Sequence, residues 1–199
     1  MIARRVLVIF FLIAAVAQAD EWSDLMRGNR RYVAGHLTYS HLRSQRRATR
    51  NDQHPPVTVI SCSDSRVPPE LMFDQTVGDI FVVRVAGNVI DDFNLASVEY
   101  AVANKWTKLI VVIGHEYCGA LKEAISDETE FGSPSLDALV AKIRENLDHH
   151  KPPIREAVEI NARASAKQLR ASKIIREAKV PIVTAYYSFD GRVRKLGEE

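Results

Sequence analysis

Cysteine is scarce in this chain, with two among 199 residues, Cys62 and Cys118, so at most one disulfide can form. Internal repeats and low-complexity tracts are absent, which excludes solenoids and arrays. With 46% apolar and 26% charged residues, a disordered chain is excluded as well. The length suits one domain with a substantial core. An excess of either charge is missing once the N-terminus is set aside. Lys and Arg number 27 against 25 Asp and Glu, and Arg4 and Arg5 lie in residues 1–19, which hold no acid. Residues 20–199 therefore balance at 25 against 25, and a nucleic-acid or membrane-surface role loses its electrostatic motive. The cluster Arg43, Arg46, Arg47 and Arg50 lacks interleaved aromatics and reads as a solvated loop or an oligomer contact.

The one strongly apolar stretch at a terminus is Val6–Val16, preceded by basic Arg4-Arg5 and followed by Ala17-Gln18-Ala19. That is the layout of a cleaved secretory signal over residues 1–19, too short for a comfortable membrane span; a retained anchor is the alternative. Residues 20–199 then form the single domain of a periplasmic or secreted protein, with no stable membrane insertion after cleavage.

The pattern after the leader predicts a helix over 21–36 and an arginine-rich connector. Buried strands follow at Val57–Ser61, Ile80–Val85, Leu109–Ile113 and Pro181–Tyr187. Helices are predicted between them: Phe93–Asn104, one after Gly119, one begun by Ser133-Pro134, and a single long one from Ile154 to Ala178. Strands alternating with helices give an α/β fold with a mainly parallel four-stranded sheet.

Both cysteines finish apolar runs, where open parallel sheets collect their chemistry. Cys62-Ser63-Asp64-Ser65-Arg66 follows the first strand and His115-Glu116-Tyr117-Cys118-Gly119 the third. Two thiols and one imidazole make three of the four ligands of a tetrahedral zinc and leave a position open. A Cys62–Cys118 disulfide is the competing reading in an oxidising compartment. Asp64 is close enough to reach the same metal or its water, and Arg66 can hold that carboxylate in a bidentate pair. The zincin pattern H-E-x-x-H is absent, because Gly119 stands at the second histidine position, and Glu116 reads as surface-facing.

Five segments together resemble the β-class carbonic anhydrases. They are Cys62–Pro68, Gly78–Arg84, Ala86-Gly87-Asn88, Ser97–Val102 and Gly114–Ala120. The resemblance implies one zinc per chain on Cys62, His115 and Cys118, with Asp64 and Arg66 gating and orienting the metal-bound water. The fourth zinc position is left open to either water or Asp64, the latter as ligand of a closed state. It further implies reversible hydration of carbon dioxide to bicarbonate and a proton. The implied assembly is a homodimer or dimer of dimers, with the N-terminal helix packed on its partner. Gln53, Phe81, Tyr100 and Gly119 are the implied substrate-binding positions. Val59 stands where the bicarbonate-inhibited branch carries tryptophan, which argues against that switch. Arg84 reads as structural, bonding nearby carbonyls, and His149 and His150 as exposed. Hydrolysis of carbonyl sulfide or carbon disulfide on the same fold is an alternative, as is a non-catalytic zinc-stabilised binding module.

Overall fold

Val, Ile and Leu crowd into four short runs, and each run becomes a strand of one twisted sheet. A computed structural model describes residues 21–38, 41–128 and 130–197. The signal-peptide expectation falls on residues 1–19, outside the described residues. The strands are β1 (Val57–Ser61), β2 (Ile80–Arg84), β3 (Leu109–His115), β4 (Ile182–Tyr187) and β5 (Val193–Lys195). Their order is β2-β1-β3-β4-β5. The first four are mutually parallel, and β5 runs antiparallel to β4. The four parallel strands match the sequence expectation; β5 is an addition to it. Three residues with only Val193 buried carry too little pattern to be legible as a strand.

Every residue of β1 and β3 is buried, because helices cover both faces. Alternation divides their side chains. Val57, Val59, Leu109, Val111 and Ile113 meet Leu25, Met72 and Phe73 on one face. Ile60, Ile110 and Val112 meet Val98, Ala162, Ala166, Leu169 and Ile175 on the other. Each fully buried aliphatic side chain contributes roughly 1.5–3 kcal/mol. The first helix, α1 (residues 21–33), buries Leu25 in its own chain's core. Asn29 fixes it further, donating to the Met72 and Gly191 carbonyls and accepting from Val193 N–H.

The remaining helices are α2 (Leu42–Ala48), α3 (Pro69–Met72), α4 (Asp92–Ala103), α5 (Gly119–Ile125), α6 (Pro134–Asn146), α7 (Ile154–Ala171) and α8 (Lys173–Ala178). Two of them correct the sequence expectation. The arginine-rich connector is helical over α2, since Leu, Arg, Gln and Ala favour helix even where nothing is buried. The long C-terminal helix is broken at Ser172. There the backbone leaves helical geometry, and the Ser172 side chain caps α8 by accepting from Ile175 N–H. Its hydroxyl also donates to Glu99 Oε1 at 2.6 Å, which ties the break to α4. Among the described residues no helix is long and apolar enough to cross a membrane.

Candidate metal centre

The site grows from the carboxyl ends of β1 and β3. These strands are neighbours in register, with Ser61 opposite Ile113, so Cys62 and His115 emerge side by side. Strand β3 runs through His115 itself. Tyr117 then takes a left-handed turn at φ 51°, and Cys118 becomes the N-cap of α5. The Cys62 and Cys118 sulfurs and a His115 ring nitrogen lie within 4.8 Å of one another, all buried. The two sulfurs are 4.0 Å apart and both thiols are free. A disulfide needs about 2.05 Å, so the structure favours the metal reading over the disulfide one. Two thiolates on one tetrahedral zinc, with bonds of about 2.3 Å, sit about 3.8 Å apart.

His115 supplies the most telling atom. Its Nδ1–H donates to the Glu116 carbonyl at 2.9 Å, which fixes the tautomer and leaves Nε2 as acceptor. That Nε2 is fully buried and has no hydrogen-bond partner. A buried, unpartnered acceptor is costly, and a cation placed among it and the two sulfurs removes the cost. The Cys62 sulfur is meanwhile dressed for negative charge. It accepts from the Asp64 and Gly87 backbone N–H groups at 3.4 and 3.3 Å. Its pKa is lowered, foremost by the Cys118 thiol, against the opposing effect of burial; that of Cys118 is raised by facing Cys62. The donor set fits zinc.

Asp64 stands at the edge of this cluster, its Oδ2 4.0 Å from His115 Nε2. Arg66 grips both of its oxygens, Nε to Oδ1 at 2.9 Å and Nη2 to Oδ2 at 2.7 Å, and the Arg66 backbone N–H adds a third bond to Oδ1. These bonds hold the carboxyl well below the usual carboxylate range. Arg84, at the end of β2, donates to the Cys62 carbonyl at 3.1 Å and the Asp64 carbonyl at 2.7 Å. The structural reading of Arg84 is therefore the observed one: it clamps the loop that carries Cys62 and Asp64.

The carbonic anhydrase family model matches residues 57–193. The chain belongs to the β-class carbonic anhydrase family. A carbonic anhydrase of Mycolicibacterium smegmatis is 38% identical over 185 residues, covering 86% of this chain and 90% of that one. The β-carbonic anhydrase of Aspergillus fumigatus superposes with a TM-score of 0.70 at 26% identity, over 94% of this chain and 92% of that one. A tetrameric β-carbonic anhydrase of Sordaria macrospora gives 0.67 at 26% identity, over 94% and 98%.

Within this β-carbonic anhydrase chain the expected substrate-binding positions divide. Gly119 lies beside Cys118, exposed and with open space where a Cβ would stand. Gln53 and Tyr100 line a separate surface cavity of about 440 Å³ with Trp106, and none of the three candidate ligands borders it. Phe81 is half-buried opposite Thr58, at the far end of the β1–β2 ladder from Cys62. His149 and His150 are exposed, as expected.

Glu116 corrects the sequence expectation. It is half-buried, and its Oε2 accepts from Phe189 N–H at 2.9 Å, because the chain after β4 folds back over it. Gly87 and Phe189 escaped the sequence reading as site residues. Gly87 sits in the Ala86-Gly87-Asn88 segment, but its role is a backbone N–H, which leaves no mark in a side-chain pattern. Phe189 lies in the turn after β4 and has no sequence signal at all.

Proposed function

We propose that this chain hydrates carbon dioxide reversibly to bicarbonate and a proton, with one zinc held by Cys62, His115 and Cys118. The observation that carries this is the buried, unpartnered Nε2 of His115 facing two sulfurs beside the Asp64–Arg66 pair. Zinc in that place supplies a Lewis acid that acidifies water and makes it a nucleophile near neutral pH.

The chain's own residues do the positioning. Glu116 fixes the imidazole tautomer through its carbonyl. Arg66 keeps Asp64 ionised and acceptor-only, so Asp64 can take a hydrogen bond from the attacking water and orient its lone pair toward carbon. A non-catalytic zinc module would have no use for this pair. Water adds across one C=O bond of carbon dioxide, bicarbonate leaves, and the released proton passes to buffer.

Gln53, Phe81 and Tyr100 serve substrate from a second copy of the chain in this proposal. Support comes from their distance from their own cluster, the 55% exposure of Tyr100 and the 86% exposure of Phe93 on the same helix. A homodimer or dimer of dimers follows, in line with the tetramer from Sordaria macrospora, and α1 is proposed to touch the partner as well as its own core. The leader over residues 1–19 supports export to the periplasm or beyond, which N-terminal sequencing of mature protein tests.

The deciding experiment is stopped-flow carbon dioxide hydration against pH, with zinc content measured on the same sample. Turnover that scales with zinc is expected. Folded, zinc-loaded protein with no turnover at alkaline pH overturns the reading. Parallel assays with carbonyl sulfide and carbon disulfide establish the substrate.

A further inference from the structure

The turn between β4 and β5 brings one aromatic ring against both halves of the site. Phe189 is half-buried, and its ring centroid lies 4.2 Å from Arg66 Cζ, under the guanidinium. The same ring is tilted at 55° against His115, with centroids 5.9 Å apart, and meets Tyr187 edge-on at 6.0 Å. Its position is not left to side-chain packing. Phe189 N–H donates to Glu116 Oε2 at 2.9 Å, and Glu116 N–H donates to the Tyr187 carbonyl at 2.9 Å. Glu116 also accepts from His115 through its own carbonyl. One residue thus ties the imidazole, the end of β4 and the Phe189 backbone together.

We propose that Phe189 is a positioning residue for the hydration reaction, its ring fixing the plane of the Arg66 guanidinium so that Arg66 holds Asp64 in place. The physical need is plain. The Arg66 side chain is 56% exposed, and a long exposed arginine has many rotamers to lose. Asp64 holds only the edge of the guanidinium, through Nε and Nη2; rotation of the Arg66 stem would carry both atoms together. An aromatic face beneath the cation attracts it and excludes those rotations. Glu116 acts one step further back, by fixing the height of the Phe189 backbone over the ligand loop.

The inference rests on the proposed role of Asp64 and Arg66 in hydration, and its test has a readout that does not depend on turnover. In ¹⁵N-labelled, zinc-loaded protein the Arg66 Nε–H resonance, identified by its loss in Arg66→Lys, is followed by hydrogen exchange. Phe189→Met keeps apolar volume and removes the aromatic face. We expect Arg66 Nε–H exchange about tenfold faster in this variant, with kcat lowered on the order of tenfold and KM little changed, as for a misplaced catalytic group. Phe189→Tyr restores both. Glu116→Ala, which leaves the ring intact but frees its backbone, shifts both in the same direction, and Glu116→Gln, which keeps an acceptor oxygen, shifts them less. Unchanged Arg66 exchange in folded Phe189→Met, or failure of Phe189→Tyr to restore it, overturns the proposal. Absence of turnover in the wild type would instead overturn the functional reading and leave the exchange result standing.

Discussion

Arg66 reaches back two residues to Asp64 and engages it with three N–H groups, two from the guanidinium and one from the backbone. The Asp64 side chain is 16% exposed against 56% for Arg66, so the carboxylate is shielded while its partner stays open to water. This asymmetry places a fixed, ionised acceptor at the edge of the sulfur–imidazole cluster.

Arg66→Lys should therefore fail as a conservative change. An ammonium is a point charge and cannot repeat the fork that pins both oxygens. We expect kcat/KM for carbon dioxide hydration to fall on the order of 10²-fold, with zinc content unchanged. Stopped-flow kinetics with metal analysis on each sample checks this; equal activity would remove Arg66 from the mechanism.

Cys62→Ser and Cys118→Ser should each lose zinc as well as activity, since a serine hydroxyl does not ionise as a thiol does. Removal of zinc from the wild type with a chelator should lower its thermal midpoint. A ligand at 100 times its Kd stabilises by about 2.7 kcal/mol. Variants that keep a full zinc complement would displace the cysteines from the ligand set.

Gly87→Ala and Gly119→Ala separate a required glycine from a tolerant one. Gly87 has φ 68°, and an added Cβ would lie 2.8 Å from Ile143 Cδ1. Its N–H serves the Cys62 sulfur, and its carbonyl accepts from Asn161 at 2.7 Å. Alanine there should cost about 1–3 kcal/mol and weaken zinc retention. Gly119→Ala meets no atom within 4 Å, and urea unfolding should show almost no change. Similar losses at both sites would contradict this account.

Asp74 gives a pH-dependent prediction. It is buried at φ 49°, accepts from Thr38 N–H at 2.8 Å and the Thr38 hydroxyl at 2.6 Å, and pairs with Arg31. Burial alone would raise its pKa, but the bonds from Thr38 and Arg31 outweigh it and hold it below the usual value. Its stabilisation is then fully present above the unfolded value of about 3.9 and lost as pH falls through the lower folded value. Asp74→Asn should lose about 1–3 kcal/mol near neutral pH. The gap from wild type should shrink only in that acid range. Denaturant unfolding at neutral and acid pH tests it, and a gap that does not change with pH would count against it.

Much of the fold was legible because buried parallel strands are written as unbroken β-branched and aliphatic runs. Val57–Ser61 and Leu109–Ile113 needed no context. What stayed hidden depended on weaker local signals. Strand β5 rests on one buried residue, and the break at Ser172 on a side-chain cap that matters only once α4 brings Glu99 alongside.

The sequence by itself determined the donor set. Cys62, Asp64 and Arg66 fall within five residues, and His115 and Cys118 within four, so local chain geometry suffices to place each group. Only the tertiary structure decided how these pieces are held. The β1–β3 register brings the two loops together, Gly87 turns an N–H toward Cys62, and Arg84 clamps the loop by its carbonyls. Glu116 and Phe189, 73 residues apart, meet through a backbone amide. Contacts made by backbone atoms across long separations leave no residue-type pattern, and they exist only after the sheet has formed.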